Sequence, residues 1–400
     1  MADERRLTIC FPFSGDSIGG SHVSVLGLLK RLDQRRFRLV IVPEVAGGAI
    51  ARMFEDFEVL TDPGARGTPV APGQPFTAAK ILSTFGSVPP RARFLLQQGV
   101  DIVHSNDGRS HANWALAARL AGAKLLWHHR ADPHALGLRL AAPLLASRVL
   151  TVSRFALPSP GLWSAAARAE VAHSPFETSM EVSRALARNK LVSEFGLPGD
   201  TLILGFFGNF VRRKRPLLFV DAVAQVAERL GRPVAGLMFG EAIDPAIAFH
   251  LQERLAQPNA GSVRLAGFRP NGAQLIAGCD QLLVPAVREP FGRTLIEAML
   301  VGTPVIAARS GGNIEALEDG SGILVQADDP AALANASMDL ANAPGHAQLM
   351  AERAQARARR KFSARRHAER VSEIYEELTS GVRQPAANRE LDATLARTEA

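Results

Sequence analysis

Glu289 and Glu297 stand eight residues apart in the segment Glu289-Pro290-Phe291-Gly292-Arg293-Thr294-Leu295-Ile296-Glu297. Carboxylates at that spacing, on either side of a glycine turn, can hold sugar or ribose hydroxyls while the amides of the turn meet an anion. The run Gln281-Leu282-Leu283-Val284-Pro285 before them reads as a buried strand. The apolar run after them continues as a helix to Gly302. The first amides of a helix have no internal acceptor, which leaves those of Gly292, Arg293 and Thr294 available. Thr294 suits an N-cap, and Glu297 three residues on completes a capping-box spacing. A cap alone accounts for Glu297 as readily as a ligand contact does.

Three further groups have chemistry-bearing composition. The loop Gly208-Asn209-Phe210-Val211-Arg212-Arg213-Lys214-Arg215-Pro216 carries four cations, in the forked and compact forms that meet phosphate oxygens. Trp127-His128-His129-Arg130 closes an apolar run. A histidine there can face a cleft and titrate near neutral pH, although lone histidines are more often structural. Gly19-Gly20 lies between an apolar run and a helical pattern, so the backbone can approach a ligand there. It matches neither G-x-G-x-x-G nor a Walker A loop.

Positioning these residues requires a repeated scaffold. Short apolar runs alternate with helical periodicity, the pattern of βαβ units and parallel sheets. Strands are predicted at 7–13, 37–43, 101–104, 124–128 and 148–153. After a Pro- and Gly-containing stretch at 174–200, the alternation restarts. Strands are predicted there at 201–208, 234–239, 263–266, 281–285 and 304–308, with helices at 216–230, 246–256, 271–277 and 294–301. The fold class is therefore α/β, with two doubly wound halves in tandem. Ligands in such sheets bind beyond the carboxyl ends of the strands. A final helix over 362–378 places Ala368, Val371, Ile374, Tyr375 and Leu378 on one face, and the polar tail from 381 reads as flexible.

Composition narrows the function classes. Apolar residues make up 47% and charged residues 21% of the 400-residue chain, values usual for a globular protein. Cys10 and Cys279 are far apart in apolar runs, so they read as reduced core residues, and no zinc spacing is present. The N-terminus lacks a signal-peptide core, and no uncharged apolar run is long enough to span a bilayer. The formal charge is +7, and residues 1–180 hold 20 Lys/Arg against 14 Asp/Glu, six of that surplus of seven. A basic first half favours anionic partners such as lipid headgroups or phosphorylated substrates. With 6% aromatics and no aromatic–basic platform, nucleic acid is not expected.

In this order the segments resemble a family 4 glycosyltransferase of the GT-B fold. The resemblance runs from Gly19-Gly20 to the terminal helix. It is densest over 265–325: Gly267, Ala277-Gly278-Cys279-Asp280, the E-x7-E run, Gly302-Thr303-Pro304-Val305, Gly311-Gly312-Asn313-Ile314-Glu315 and Gly322-Ile323-Leu324-Val325. It implies two Rossmann-like domains facing across a cleft. These would be an acceptor-side domain at 1–178 and a donor domain at 179–361, with a helix at 362–380 returning to the first and a flexible tail at 381–400. It implies retaining sugar transfer from a nucleotide-diphosphate sugar without metal or other cofactor. The acceptor would be a glycan, a lipid-linked molecule or a small molecule, and the setting cytoplasmic surface-polysaccharide or glycolipid synthesis, with possible peripheral contact to an anionic membrane.

Glu289 matches the carboxylate on the donor sugar, and Glu297 the one on the ribose. Phe291, Gly292, Arg293, Thr294 and Leu295 match the phosphate-binding turn, and Lys214 the cation that neutralises the diphosphate. His128 matches the strand-end histidine beside the sugar, with His129 as the fallback, and Gly19 and Gly20 match a loop near the diphosphate and acceptor. Acceptor contacts are implied in the loops around 61–90. One position departs from the family pattern: Asn209 stands where an arginine is usual, and Arg212 or Arg213 is the candidate substitute. The other readings are a nucleotide-sugar 2-epimerase of the same fold and a catalytically weakened binding protein on this scaffold.

Overall fold

The structure, a computed structural model, describes residues 5–65 and 78–380. Part of the predicted acceptor loop (66–77) and the tail (381–400) lie outside the described residues. The chain divides into two compact units, Met1–Pro175 with Ala364–Ala400, and Phe176–Ser363.

The first unit is built on strands β1 (Leu7–Phe13), β2 (Phe37–Pro43), β3 (Glu58–Val59), β4 (Ile102–Ser105), β5 (Lys124–His129), β6 (Arg148–Thr151) and β7 (Ala169–Val171). They form one sheet in the order β3-β2-β1-β4-β5-β6-β7, with parallel pairings throughout. A parallel sheet covered on both faces needs strands that are nearly all apolar, and β1, polar only at Thr8, meets this. Ile9, Phe11 and Phe13 enter one core with Val25, Leu28 and the C-terminal helix residues Val371 and Ile374. Cys10 enters the opposite core with Trp114 and Ala118.

The C-terminal helix Ala364–Thr379 buries Ala368, Val371, Ile374 and Tyr375, the face its periodicity predicts. Arg370 ties the helix to β7 through Glu170 at 2.9 Å, and Glu377 of the same helix also meets Arg370 at 2.9 Å.

The second unit contains β8 (Leu202–Phe207), β9 (Val234–Phe239), β10 (Val263–Gly267), β11 (Gln281–Val284), β12 (Val305–Ala308) and β13 (Ile323–Val325). Their order is β10-β9-β8-β11-β12-β13, again all parallel. The same alternation appears here. Leu202, Leu204 and Phe206 pack toward the helix Pro216–Arg229, and Ile203 packs on the other face with Leu191 and Cys279. Adjacent β8 and β11 bring the ends of their following loops together, and those loops carry Lys214 and Glu289. Among the described residues no helix is long and apolar enough to cross a membrane.

One buried ion pair is decisive for the first unit. Arg91 and Asp62 are 3% and 4% exposed, and the guanidinium meets both carboxylate oxygens, at 2.9 and 2.7 Å. Asp62 also accepts the Gly64 amide at 2.8 Å, and Arg91 lies over Trp114 at 5.2 Å. Removing one partner strands a desolvated charge. Asp62→Ala is therefore expected to cost about 3–5 kcal/mol, measured as a lowered urea midpoint. A loss below about 1 kcal/mol would place the pair with solvated surface bridges.

Candidate functional site

In the second unit the site is assembled from two loops at the carboxyl ends of neighbouring strands. After β8, Gly208 adopts φ 127° and its amide donates to Phe239 O at 2.9 Å. Phe210 N–H donates to Glu241 O at 2.8 Å and fixes the loop against the continuation of β9. Arg212–Lys214 form a single tight helical turn. After β11, the Val287 amide donates to Arg213 O at 2.9 Å, which ties the second loop to the first.

The carboxylate of Glu289 is thereby placed 2.8 Å from Lys214 Nζ and in an ion pair with Arg213. Glu289 is 8% exposed. Burial acts to raise its pKa, but the charges of Lys214 and Arg213 and their hydrogen bonds outweigh it and hold the carboxyl below its ordinary value. The ionised form is thus favoured by the fold. That stabilisation is present above the unfolded-chain pKa and is lost only as pH falls through the lowered folded value. Arg215 is engaged elsewhere, with Asp328 at 2.5 Å.

A second glycine turn holds the Glu289 loop in place. Gly311 has φ 58°, and a Cβ on it would lie 2.6 Å from Glu289 O. A Cβ on Gly312 would lie 2.6 Å from Pro290 O. Only glycine permits this backbone approach, and the Gly312 amide donates to Glu289 O at 2.7 Å. Asn313 adds a brace that the spacing argument missed. Its side-chain amide donates to Ala286 O and Ala308 O, both at 3.0 Å, joining the end of β12 to the loop before Glu289. The Gly-Gly-Asn run at a strand-to-helix turn was the available sequence signal.

The predicted N-cap at Thr294 requires correction. The helix runs Arg293–Val301 and its N-cap is Gly292, at φ 80° and ψ 65°. The left-handed glycine turns the chain into the helix before Thr294 is reached, so no Thr294–Glu297 capping box forms. Glu297 lies 3.6 Å from Arg293, one turn back on the same helix. Burial raises the pKa of Glu297, and the charges of Arg293 and Lys214 offset it only in part. The two carboxylates of the E-x7-E run are thus shifted in opposite directions. Phe291 packs on Phe362 and Phe176 with ring centroids 5.6 and 6.2 Å apart. Leu295 is fully buried. These two residues leave their backbone, not their side chains, to a ligand. Arg293 stacks over Phe176 at 4.2 Å. Asn209 is exposed on the loop that carries Lys214.

Gly19, Gly20 and His128 belong to the first unit. His128 is the penultimate residue of β5, and the near-neutral pKa predicted from its strand-end position is displaced. The imidazole is fully buried. Burial first, then the charge of Arg130, pushes its pKa well below 6.5. Its tautomer follows from its partners. Arg130 Nη2 lies 3.2 Å from His128 Nδ1, and arginine only donates, so Nδ1 accepts. His104 Nε2, also 3.2 Å from that Nδ1, must then donate, and His104 Nδ1 accepts from the Tyr375 hydroxyl at 2.6 Å. Neutral His128 therefore carries its proton on Nε2, which has no acceptor among the described residues. The fallback, His129, is also buried, with Nε2 2.9 Å from Asp132 O.

Two parallel doubly wound sheets in two units, the second with its cationic loop and helix start at the carboxyl edge, define the GT-B architecture. Residues 201–343 match the family described as Glycosyl transferases group 1. This bears out the resemblance to family 4 glycosyltransferases. The Anabaena HepE structure in complex with UDP and glucose superposes with TM-score 0.76 at 23% identity, covering 92% of this chain and 99% of that one. Sucrose-phosphate synthase from Thermosynechococcus elongatus superposes with TM-score 0.73 at 19% identity, covering 94% and 100%. Likenesses at these identities establish the fold. Among curated proteins, the D-inositol 3-phosphate glycosyltransferase of Stackebrandtia nassauensis is 36% identical over 166 residues, 39% of this chain and 38% of that protein. The enzyme of the same name from Corynebacterium jeikeium is 33% identical over 204 residues, 48% of each. The chain thus spans less than half the length of these curated relatives.

Proposed function

We propose that the protein transfers a sugar from a nucleotide-diphosphate sugar to an acceptor hydroxyl, with retention at the anomeric carbon and without a metal. The observation that carries this reading is the contact of Glu289 with Lys214 and Arg213 at the carboxyl edge of β8 and β11, beside a helix N-terminus. Lys214 and the first-turn amides of Arg293–Val301 receive the diphosphate, Glu289 accepts from the sugar hydroxyls, and Glu297 accepts from the ribose. Arg213 supplies beside Glu289 the cation that Asn209 lacks.

In the reaction, the bond from the anomeric carbon to the diphosphate oxygen breaks. The acceptor oxygen bonds to that carbon on the same face, and the acceptor proton passes to the departing diphosphate. Charge grows on the leaving group, so fixed cations there lower the barrier. His128, with its proton on Nε2, offers a neutral hydrogen bond to a sugar oxygen. HepE was solved with UDP-glucose, which supports a uridine donor, and the curated relatives' names support a polyol-type acceptor. Surface-glycan or glycolipid synthesis at the cytoplasmic face of a membrane is the setting that fits a basic first half.

The test is incubation with UDP-, GDP- and ADP-sugars and candidate acceptors, following nucleotide release and the anomeric signal of the product by NMR. Acceptor-dependent release with an unchanged anomeric configuration is expected. Conversion of a UDP-sugar to its epimer without acceptor would replace the reading with 2-epimerisation, and silence on every donor would remove it.

A further inference from the structure

In the first unit a helical segment, Gly137–Ala141 continued by Ala142–Leu145, follows β5. Its inward side is set by Leu138, Ala142 and Ala146, which enter the core that holds Trp114 and Trp127. Gly137 permits a close approach there, since a Cβ on it would lie 3.2 Å from the Trp127 ring. With that side committed, Leu136, Leu140 and Leu144 are left 70%, 60% and 60% exposed. A single exposed leucine is ordinary. Three at i, i+4 and i+8 form an apolar stripe, which no described residue covers.

A second apolar point lies on the loop after β6. Pro160-Gly161 leads to Leu162, fully exposed, and Trp163, 64% exposed. The chain beyond this tip is fastened to the leucine helix. Arg168 donates to Ala146 O at 2.7 Å and to Pro143 O at 2.5 Å, which takes up carbonyls at the end of the helix. Ala165 is fully buried in the same core as Leu138 and Ala142. Two residues of chain span at most ~7 Å, so Trp163 is held near the stripe.

Charge around these side chains has one sign. Between Asp132 and Glu170 the chain has no acidic residue and carries Arg139, Arg148, Arg154 and Arg168. Arg148 is paired with Glu377 at 2.5 Å, whereas Arg139, within the leucine segment, and Arg154 are exposed. Lys124, also exposed, begins β5 close to the end of the helix, where the Ser147 amide donates to Leu125 O at 2.8 Å. Leucines and a tryptophan set among cations, with no carboxylate between them, match the interface of an anionic bilayer. There apolar side chains enter the acyl boundary, Trp sits at headgroup level and cations meet lipid phosphates.

We propose that the helical segment 137–145 and the Leu162-Trp163 tip dock the first unit on an anionic lipid surface. The proposal does not depend on the transferase reading and uses none of its donor-binding residues.

The test is co-sedimentation of the full chain with phosphatidylcholine vesicles, with and without phosphatidylglycerol, together with tryptophan fluorescence. Of the 3 tryptophans, Trp114 and Trp127 are buried, so a blue shift on vesicle addition reports Trp163. Binding to the phosphatidylglycerol vesicles is expected, with a blue shift and a loss in high salt. Leu140→Ser combined with Leu144→Ser should weaken that binding about tenfold or more, and Arg139→Gln roughly fivefold. Leu349→Ser, at a comparably exposed leucine of the second unit (56%), should leave it unchanged. All these side chains are exposed, so melting temperatures should match wild type. No binding to either vesicle, equal binding to both, or binding that the leucine substitutions leave unchanged would overturn the proposal. A concentration-dependent dimer in light scattering that Leu140→Ser dissolves, without vesicle binding, would overturn it in favour of a second copy of the chain. Donor titration needs no vesicle and tests the transferase reading separately.

Discussion

Glu289→Gln is expected to lower kcat/KM for sugar transfer roughly 10²–10³-fold, the effect of removing a preorganised charged partner from a transition-state site. The substitution keeps shape and removes charge. The native carboxylate is almost fully buried and held ionised by Lys214 at 2.8 Å and by Arg213. Glutamine leaves two cations without their counter-charge and replaces a strong acceptor for sugar hydroxyls with a weak one. The backbone brace from Gly312 N–H to Glu289 O survives the change, so the loop should keep its course and circular dichroism should match wild type. Steady-state kinetics decide the point: turnover within about threefold of wild type would remove Glu289 from the reacting centre.

Lys214→Met should produce a loss of similar order, roughly 10²-fold or more, divided between a raised donor KM and a lowered kcat. Lys214 is 14% exposed at the side chain and sits on a turn tied to the Glu289 loop through Arg213 O. In the proposed reaction its charge would meet the diphosphate in the ground state and more strongly as the leaving group departs. Because Lys214 and Glu289 touch, their effects are coupled. The double variant should lose less than the product of the single losses, with a coupling of about 0.5–3 kcal/mol. Strict additivity would mean that the pair seen in the structure does not operate as a unit during turnover.

The parts of the fold set by local pattern were legible. β1, β2 and β9 fall at the predicted residues because each is a mainly apolar run, interrupted by Thr8 in β1 and by Arg38 in β2, and bounded by polar or helix-forming sequence. The edge strands Glu58–Val59, Ala169–Val171 and Ile323–Val325 were not predicted. They are two or three residues long and largely half-buried, too short to mark a strand even where, as at Ile323–Val325, every residue is apolar. Within the site, the juxtaposition of Glu289 with the 212–214 loop follows from two glycine-bounded loops on adjacent strands, which the sequence pattern anticipates. The helix start did not follow the capping code, because the left-handed conformation of Gly292 overrides what Thr294 prefers. The character of His128 was hidden for a different reason. His104, Arg130 and Tyr375 fix its tautomer, and Tyr375 is far away in sequence, so no local window contains the information. The same holds for the Asp62–Arg91 pair, whose partners share no motif.

The central claim is that the unit Phe176–Ser363 binds a nucleotide-diphosphate sugar through Lys214, Glu289 and the helix that starts after Gly292. The most direct measurement is calorimetric titration of the full chain with UDP-glucose, alongside GDP- and ADP-sugars and the Lys214→Met variant. The account predicts saturable binding of one of these donors at a single site, weakened about tenfold or more by the loss of the Lys214 charge. No saturable binding of any donor by the wild-type protein, or binding that Lys214→Met leaves unchanged, would contradict it.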